Sequence, residues 1–327
     1  MDPLSDVLSL LKLRSYGAGG FDVGGDVSIQ FGKHDGIKCY AVVAGQCWLA
    51  VEGVAEAVRV TAGDCFLLPR GWPFRLATDL KLTPVGFRTL IGERSSGGIA
   101  LINGGGGCLI VGGHFALSGS HAGILLGVLS PIVHIRDKAD KATLRWSLER
   151  MRQELLEPQP GGMLIAQQLA FTMLVQALRL HLAEGLRGGV GWLFALADAQ
   201  IGAAITAMHE DPARGWSLQE LAERVGMSRS SFALKFKETV GESPMEYLTR
   251  WRMHLAGDRL TNSGDSVSAV AQGMGYESES AFSTAFKRVM GCSPRQYGRE
   301  RKTGSPQRDG ESERVDRLEG GAGVTGE

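Results

Sequence analysis

The chain has no excess of either charge, because its 35 Lys and Arg residues balance 35 Asp and Glu residues over 327 positions. The whole-chain charge therefore identifies no partner. The N-terminal stretch MDPLSDVLSLLKLRSYG is acidic at its start and lacks both a positively charged region and a long apolar run. It supports neither a signal peptide nor a membrane span. We expect a soluble, cytoplasmic protein without a membrane partner.

Cysteine is also scarce. The sequence contains five cysteines and no CxxC pair. Their odd number, wide spacing and apolar neighbours disfavour a disulfide framework and favour reduced thiols. They are Cys39, Cys47, Cys65, Cys108 and Cys292.

The charge is unevenly distributed along the chain. Arg214 to Lys302 carries 14 basic and 10 acidic side chains, whereas Thr303 to Glu327 carries 3 basic and 6 acidic ones. The first of these segments is the basic one. The second is rich in Gly, Ser and acidic residues and is typical of a disordered tail.

The first third of the chain has a β pattern. After a short amphipathic helix within Asp2 to Leu13, β-branched and aromatic runs follow one another from Ile37 to Leu90, separated by Gly and Pro. Regularly spaced short strands with turn signals predict an antiparallel sandwich or barrel. The runs are IKCYAVV, QCWLAVE, AEAVRVT, CFLLP, PFRLAT and LTPVGF.

Within these strands, AGDCFLLPRGWPFRL (Ala62 to Leu76) resembles the strand-turn-strand signature of the cupin barrel. Metal-dependent cupins hold their metal with two or three His and a Glu, and Phe74 occupies the place of the late His. His34 and Glu52 are the remaining candidate ligands, and one His does not make a site in which imidazoles dominate. We interpret both as polar residues at a barrel mouth and predict no metal and no cofactor. The interior still suits a small molecule.

Three further histidines, His114, His121 and His134, lack ligand spacing and are interpreted as structural. The four glycines Gly104 to Gly107 do not lie between a strand and a helix, so we interpret them as a turn and not as a phosphate loop.

The pattern then becomes helical. We predict helices over Leu144 to Leu156, Met163 to Ala183 and Trp192 to His209. The second is strongly apolar. It either pairs with its counterpart in a homodimer or packs within the chain against the barrel, and the sequence leaves both alternatives open.

From Trp216 to Tyr297 one helical pattern is written twice. LAERVGMSRSSFALKFKETVGESPMEYL is followed by VAQGMGYESESAFSTAFKRVMGCSPRQYG. Self-similarity on this scale indicates one supersecondary unit used twice. The matched residues are Phe232, Phe236, Lys237, Gly241, Ser243, Pro244 and Tyr247, which recur as Phe282, Phe286, Lys287, Gly291, Ser293, Pro294 and Tyr297.

Each copy has the signals of a helix-turn-helix. In the first copy, Ser217 and Glu220 fit a capping box, Gly226 suits a left-handed turn, and Ser228 begins a second helix that ends at Gly241. A second helix of this kind enters the major groove of DNA. Between the copies, Met245 to Leu260 predicts a rigid helix of about 24 Å at 1.5 Å per residue.

The blocks GMSRSSFALKFKETVGESPMEYL and G-Y-x-S-x-S-x-F-S-x-x-F-K-x-x-x-G-x-S-P-x-x-Y resemble the DNA-binding domain of AraC/XylS-type transcription regulators. Upstream, LLPRGWPF, CLIVGGHF and HEDPARGW are similar to the cupin-type sensor domain often fused to it. The resemblance implies a transcription factor whose N-terminal domain senses a signal or controls oligomerisation. Its implied partners are promoter or operator duplex DNA, an unidentified small-molecule effector, a second copy in a homodimer, and RNA polymerase.

Carried over position by position, the resemblance implies base-reading and phosphate-contacting residues. Arginines commonly stand at the positions of Leu234 and Thr284, so this chain relies more on apolar contact to thymine methyl groups and on shape. The base-reading set is Arg229, Ser230, Ala233, Leu234, Glu279, Ser280, Ala281, Ser283 and Thr284. The phosphate set is Lys235, Lys237, Lys287, Arg288, Arg295, Arg299 and Arg301.

The predicted fold class is α+β. We expect a cupin-like antiparallel β-barrel at 1–140, a helical linker and dimerisation segment at 141–210, an all-α double helix-turn-helix domain at 211–302 and a disordered tail at 303–327. Two alternatives remain open. A metal-dependent cupin enzyme with an accessory nucleic-acid module requires a bound metal, and a scaffold that only oligomerises leaves the repeat unexplained. We predict no catalytic residues.

Overall fold

The computed structural model describes residues 2–11, 14–91, 98–116, 129–136, 138–184 and 190–303. His121 and residues 304–327 of the predicted tail lie outside this range. The chain divides into two units: Met1–Glu210 with Trp216–Pro244, and Asp211–Gly215 with Met245–Glu327. The domain boundaries drawn from the sequence stay predictions.

The first unit contains a β-rich N-terminal part. Its elements are α1 (Pro3–Leu11), β1 (Arg14–Val23), β2 (Ser28–Phe31), β3 (Ile37–Ala44), β4 (Gln46–Val51), β5 (Val58–Thr61), β6 (Cys65–Leu68), β7 (Phe74–Ala77), β8 (Val85–Gly86), α2 (Phe87–Ile91), β9 (Gly98–Ile102), β10 (Cys108–Ala116) and β11 (Val133–Ile135).

Helices complete the first unit and form the second. They are α3 (Lys138–Leu156), α4 (Gly162–Glu184), α5 (Trp192–Ala195), α6 (Ala199–Glu210), α7 (Leu218–Arg224), α8 (Arg229–Val240), α9 (Pro244–Asn262), α10 (Val267–Gly273), α11 (Glu279–Met290) and α12 (Pro294–Thr303).

The strands pack as a sandwich. One sheet has the order β11-β6-β3-β10-β1-β9 and the other has the order β5-β4-β7-β2-β8. All pairings are antiparallel except β1 with β9 and β2 with β8. The predicted β-rich cupin-like domain is confirmed, with one correction. The described strands form two sheets and no closed barrel, because the edge strands of one sheet do not pair with those of the other.

Side chains from both sheets fill the space between them. Phe31 stacks on Phe74 with ring centroids 4.4 Å apart, and Phe66 and Leu49 are fully buried nearby. Phe74, which takes the place of a metal-binding His in the cupin signature, is therefore a core residue. None of the five cysteines, all of which the structure describes, forms a disulfide.

The apolar helix α4 covers the outer face of the six-stranded sheet. Phe171 of α4 packs against Phe115 of β10, and a Cβ added at Gly113 would touch Ala170. The second alternative for this helix, intrachain packing, is thus what the structure shows. By length and composition, α4 also passes as a candidate membrane span, a test that core helices of soluble proteins pass too.

The predicted single helix over Trp192 to His209 is wrong, because the structure has α5 and α6 in its place. Asp198 explains the break. Its Oδ1 accepts hydrogen bonds from the backbone N–H groups of Gln200 and Ile201, both at 3.0 Å, and so caps a new helix.

Candidate nucleic-acid interface

The first helix-turn-helix, α7 and α8, has the capping predicted for it. Ser217 Oγ accepts from the Glu220 N–H at 3.1 Å, and the Glu220 carboxylate accepts from the Ser217 N–H at 2.8 Å. Ser228 caps α8, and Gly226 and Gly241 are left-handed with φ of 67° and 91°. The turn that sets the angle between the two helices is therefore fixed locally.

The second helix-turn-helix, α10 and α11, repeats most of this. Ser266 and Ser278 cap its helices, and Gly275 and Gly291 have φ of 77° and 79°. It has no capping box, because Ala269 stands where the first copy has Glu220.

Buried aromatic pairs mark the inner face of α8 and of α11. Phe232 and Phe236 have ring centroids 5.7 Å apart, and Phe282 and Phe286 are 5.6 Å apart. All four side chains are fully buried. They are core residues, as the helical spacing predicts, and not platforms for stacking bases.

The opposite face of α8 is exposed. Arg229 and Ser230 begin this face, Ala233 is half-buried, and Leu234 leaves 61% of its surface in solvent. A large apolar side chain with that much exposure at the centre of α8 gains little from folding. It is available to a partner.

The exposed face of α11 is more polar. Ser280, Ala281 and Thr284 are exposed, whereas Glu279 and Ser283 are partly buried. The Thr284 hydroxyl donates to the Ser280 carbonyl oxygen at 3.0 Å. Glu279 pairs with Arg295 at 3.3 Å on the surface, so a predicted base reader contacts a predicted phosphate ligand.

Among the predicted phosphate ligands, Lys235 has a distinct environment. Its ammonium lies 2.7 Å from Asp198 and 3.0 Å from the side-chain oxygen of Gln200. Burial pushes the pKa of Asp198 upward, but hydrogen bonds from Ile201 N–H and Lys235 outweigh it and lower the pKa overall. Lys235 therefore joins α8 to the start of α6. The side chains of Lys237, Lys287, Arg288, Arg295 and Arg299 are exposed, and that of Arg301 lies outside the described side chains.

The first helix-turn-helix has two further contacts with the preceding helices. Gln200 donates from its side chain to the Val225 carbonyl oxygen at 3.1 Å. The Gly191 N–H donates to the Thr239 carbonyl oxygen at 2.9 Å. Sequence patterns did not show these contacts, which join residues more than twenty positions apart.

A pocket of about 550 Å³ opens in the sandwich. Glycines line much of it, together with aromatic rings and one histidine. The register explains its shape: Gly19 pairs with Gly112, which pairs with Tyr40, so two neighbouring strand positions carry no side chain. Its lining includes Gly17, Gly19, Phe21, Tyr40, Phe87, Gly112 and His114.

His114 is a residue whose place sequence reasoning missed. It faces this pocket, and its ring centroid lies 5.8 Å from that of His34. Its Nε2 donates to the Asp35 carbonyl oxygen. Strand pairing thus brings together two histidines that are 80 positions apart in the sequence.

The two metal-ligand candidates belong to no group of three ligands among the described residues. Glu52 is exposed at the turn after β4, and His34 follows β2. Within the described residues no group of three His, Cys, Asp or Glu side chains has the arrangement of a metal site.

His134 has a different role. Its Nε2 lies 3.0 Å from the buried carboxylate of Asp64, which also pairs with Lys141 of α3 at 2.6 Å. Asp64 thereby joins the β5–β6 turn to β11 and α3. The interpretation of His134 as structural agrees with these contacts.

Comparison with known proteins agrees with the site. A helix-turn-helix domain profile matches residues 221–300, and a cupin profile matches residues 2–183. An AraC-like transcription regulator of Streptomyces lividans is 41% identical over 298 residues, which span 91% of this chain and 98% of the relative. The chain belongs to the AraC-like transcription regulators.

A second relative of this regulator, from Streptomyces antibioticus, is 40% identical over 91% of the chain and 98% of its own length. Among solved structures, the regulator is similar to the DNA-binding domain of AdpA in complex with a target DNA. That likeness has 29% identity over 34% of this chain and 98% of the other, and its TM-score of 0.32 is too low for a structural argument. The regulator is a DNA-binding protein with a cupin domain at its N-terminus.

Proposed function

We propose that the regulator reads promoter DNA with the exposed faces of α8 and α11 and changes its activity when its cupin pocket binds an effector. The observation that carries the first part is the doubled helix-turn-helix, in which buried Phe pairs leave two faces outward. On α8 the readers are Arg229, Ser230, Ala233 and Leu234. On α11 they are Glu279, Ser280, Ala281, Ser283 and Thr284.

The side chains of these faces suit different kinds of contact with DNA. Arg229 suits a guanine edge, and Leu234 suits the methyl group of thymine. Lys237, Lys287, Arg288, Arg295, Arg299 and Arg301 supply affinity through phosphates, which carry no sequence information. We keep Lys235 among the phosphate ligands only as a candidate, since it must leave Asp198 to reach DNA.

The helix α9 supports a reading of successive major grooves. Its 19 residues correspond to about 28 Å at 1.5 Å per residue, on the order of the ~34 Å helical repeat of DNA. A hydroxyl-radical footprint on a selected operator should then protect two neighbouring segments on one side of the duplex. Protection of a single segment would contradict this proposal.

DNA binding is tested with the purified full chain on a selected operator. Removing one phosphate-binding side chain should flatten the logarithmic salt dependence by about one unit, so Lys287→Ala should reduce the slope and weaken all sequences alike. Arg229→Ala should instead relax the preference at one base pair, at a cost of about 1–3 kcal/mol. Arg59→Ala, an exposed basic residue of β5, is the control. A wild-type chain without duplex affinity at low salt would overturn the proposal.

The exposed apolar side chains of α3 and α4 suit a second copy of the regulator. Trp146 is 69% exposed, Leu164 is 67% exposed, and Ile165 lies beside it at 42%. We infer a homodimer through these helices. Leu164→Glu should shift the sedimentation coefficient to that of a monomer, whereas Lys33→Glu, an exposed change elsewhere, should not.

The proposal extends to where the regulator acts and how it alters transcription. A regulator of this kind acts in the cytoplasm and alters transcription through contact with, or exclusion of, RNA polymerase. We assign no catalytic residue and no metal to the cupin domain. Run-off transcription from the selected promoter, with and without the regulator, decides whether transcription rises or falls.

A further inference from the structure

The effector pocket is next to a cluster of basic side chains. Strand pairing places Gly17, His114 and Lys38 side by side on β1, β10 and β3. Because directly paired residues point to the same face of a sheet, Lys38 shares the face of His114, which lines the pocket. His34 completes the cluster, 5.8 Å from His114 between ring centroids.

Lys38 has no carboxylate partner among the described residues. Its ammonium instead lies among aromatic rings, 5.3 Å from the centroid of Phe31, 5.9 Å from Tyr40 and 5.1 Å from Phe74. Burial lowers its pKa to about 8, so it still carries a proton at pH 7. Buried charges in proteins are normally paired. This one lacks its counter-ion.

His34 is the second member of the cluster whose polar atoms lack a clear partner. Both of its ring nitrogens are buried, and no hydrogen bond of ordinary geometry joins either one to the part of the chain that the structure describes. Burial, followed by the charges of Lys38 and His114, lowers its pKa to about 4 and outweighs the Asp35 backbone, which raises it. A neutral imidazole can donate one hydrogen bond to an anion.

Most of the remaining lining is aromatic ring and glycine backbone. The rings are those of Phe21, Tyr40 and Phe87, and α4 adds one apolar side chain, Met163, and one polar side chain, Gln167. A volume of about 550 Å³ lies within the usual range for small-molecule sites. An inorganic anion would satisfy the basic cluster but would leave these walls unfilled.

We propose that the effector is a small organic carboxylate with a flat or chain-like apolar body, whose carboxylate pairs with Lys38 and accepts a hydrogen bond from His34. This inference rests on the proposed function, because it names the class of effector that the pocket takes. Tyr40 and Phe87 then contact the apolar body.

Two substitutions test separately the charge of Lys38 and the open space in the pocket. Lys38→Met keeps the length of the side chain and removes the ammonium. Gly17→Leu fills the pocket, since a Cβ at this position meets nothing within 4 Å and its φ is not left-handed. Lys33→Gln, an exposed lysine before β3, is the matched control.

The test screens the full chain by ligand-observed NMR against a panel of aromatic and medium-chain carboxylates, each paired with its neutral primary amide, with inorganic phosphate added as a bare anion. We expect carboxylates to bind and their amides to bind at least about tenfold more weakly. Lys38→Met should cause a similar loss, Gly17→Leu should abolish binding, and Lys33→Gln should change nothing.

Equal binding of acids and amides, binding of phosphate alone, no binding of any carboxylate at millimolar concentration, or full binding by Gly17→Leu would overturn the proposal. Duplex binding by the same preparations is measured separately. Retained DNA binding shows that the variants are folded, and it distinguishes a wrong effector class from a wrong function.

Discussion

The two helix-turn-helix units share their internal architecture and differ in what surrounds it. Serine caps, left-handed glycines and buried Phe pairs recur in both. Around them, α8 is joined to the start of α6 through Lys235 and Asp198, whereas α11 has a surface pair between Glu279 and Arg295. The repeat thus retains the features that make a helix-turn-helix and varies the contacts that surround each copy.

The largest expected effect comes from disrupting the aromatic core that each helix-turn-helix unit contains. Phe236→Ala and Phe286→Ala each remove a fully buried ring, which costs about 3–5 kcal/mol of unfolding free energy. Hydrogen exchange in denaturant should show loss of protection in the unit that carries the substitution. Leu234→Ala, on the exposed face, is the control and should stay within about 0.5 kcal/mol of wild type. Equal loss of protection in both helix-turn-helix units from either substitution would contradict the idea that each unit has its own core.

The turn glycines Gly226 and Gly275 provide a second comparison of the two helix-turn-helix units. Both are left-handed, so alanine should cost about 1–2 kcal/mol at either site. A Cβ at Gly226 meets open space, but at Gly275 it would collide with the backbone carbonyl oxygen of Ala213. Chemical denaturation should therefore find Gly275→Ala clearly more destabilising than Gly226→Ala. Similar losses of unfolding free energy at the two sites would show that the backbone near Ala213 can move aside at little cost.

Reading specificity is the next contrast. Leu234→Arg and Thr284→Arg each place a guanine-reading side chain on an exposed face and should change the preferred base by about 1–3 kcal/mol. Selection of operators from a random library is the measurement. Gln219→Arg adds the same charge on α7 and should raise affinity without altering preference. An unchanged preference in Leu234→Arg would count against α8 as a reader.

The smallest effects concern the ion pairs. Asp198→Asn keeps a cap but removes the charge opposite Lys235, so we expect a loss of about 0.5–1 kcal/mol at pH 7. Because the folded-state pKa of Asp198 is lowered, its contribution is present above the unfolded pKa and disappears as the pH falls through the folded one. The variant and wild type should therefore converge in urea melts as the pH falls below the usual range of an Asp carboxyl. Glu279→Gln should have no resolvable effect, and a larger loss than for Asp198→Asn would reverse the ranking.

Local rules predicted the helix-turn-helix units almost to the residue. Caps such as Ser228 and stops such as Gly241 act within one helical turn, so a single sequence contains their whole cause. The helices Arg229–Val240 and Glu279–Met290 accordingly begin after a Ser cap and end before a left-handed Gly, as the signals of the first copy predict.

Nonlocal features were harder to predict. The strand β1, with the sequence RSYGAGGFDV, has too many glycines for an alternating pattern, and its existence depends on pairing with β10 some 90 positions later. The place of His114 follows from that pairing. Likewise, nothing near Lys235 in sequence announces its partner Asp198, and a salt bridge between distant positions leaves no periodic signal.

The glycines of β1 have unequal freedom. A side chain at Gly20 would collide with the Ile110 carbonyl oxygen, whereas Gly17 faces open space and pairs through its backbone. A single nucleotide change at codon 17 can therefore reshape the pocket while leaving the strand ladder intact. Under the proposal that an effector binds in this pocket, the position offers an evolutionary route to new effectors, and it gives an experimenter a first site to randomise when redirecting the response.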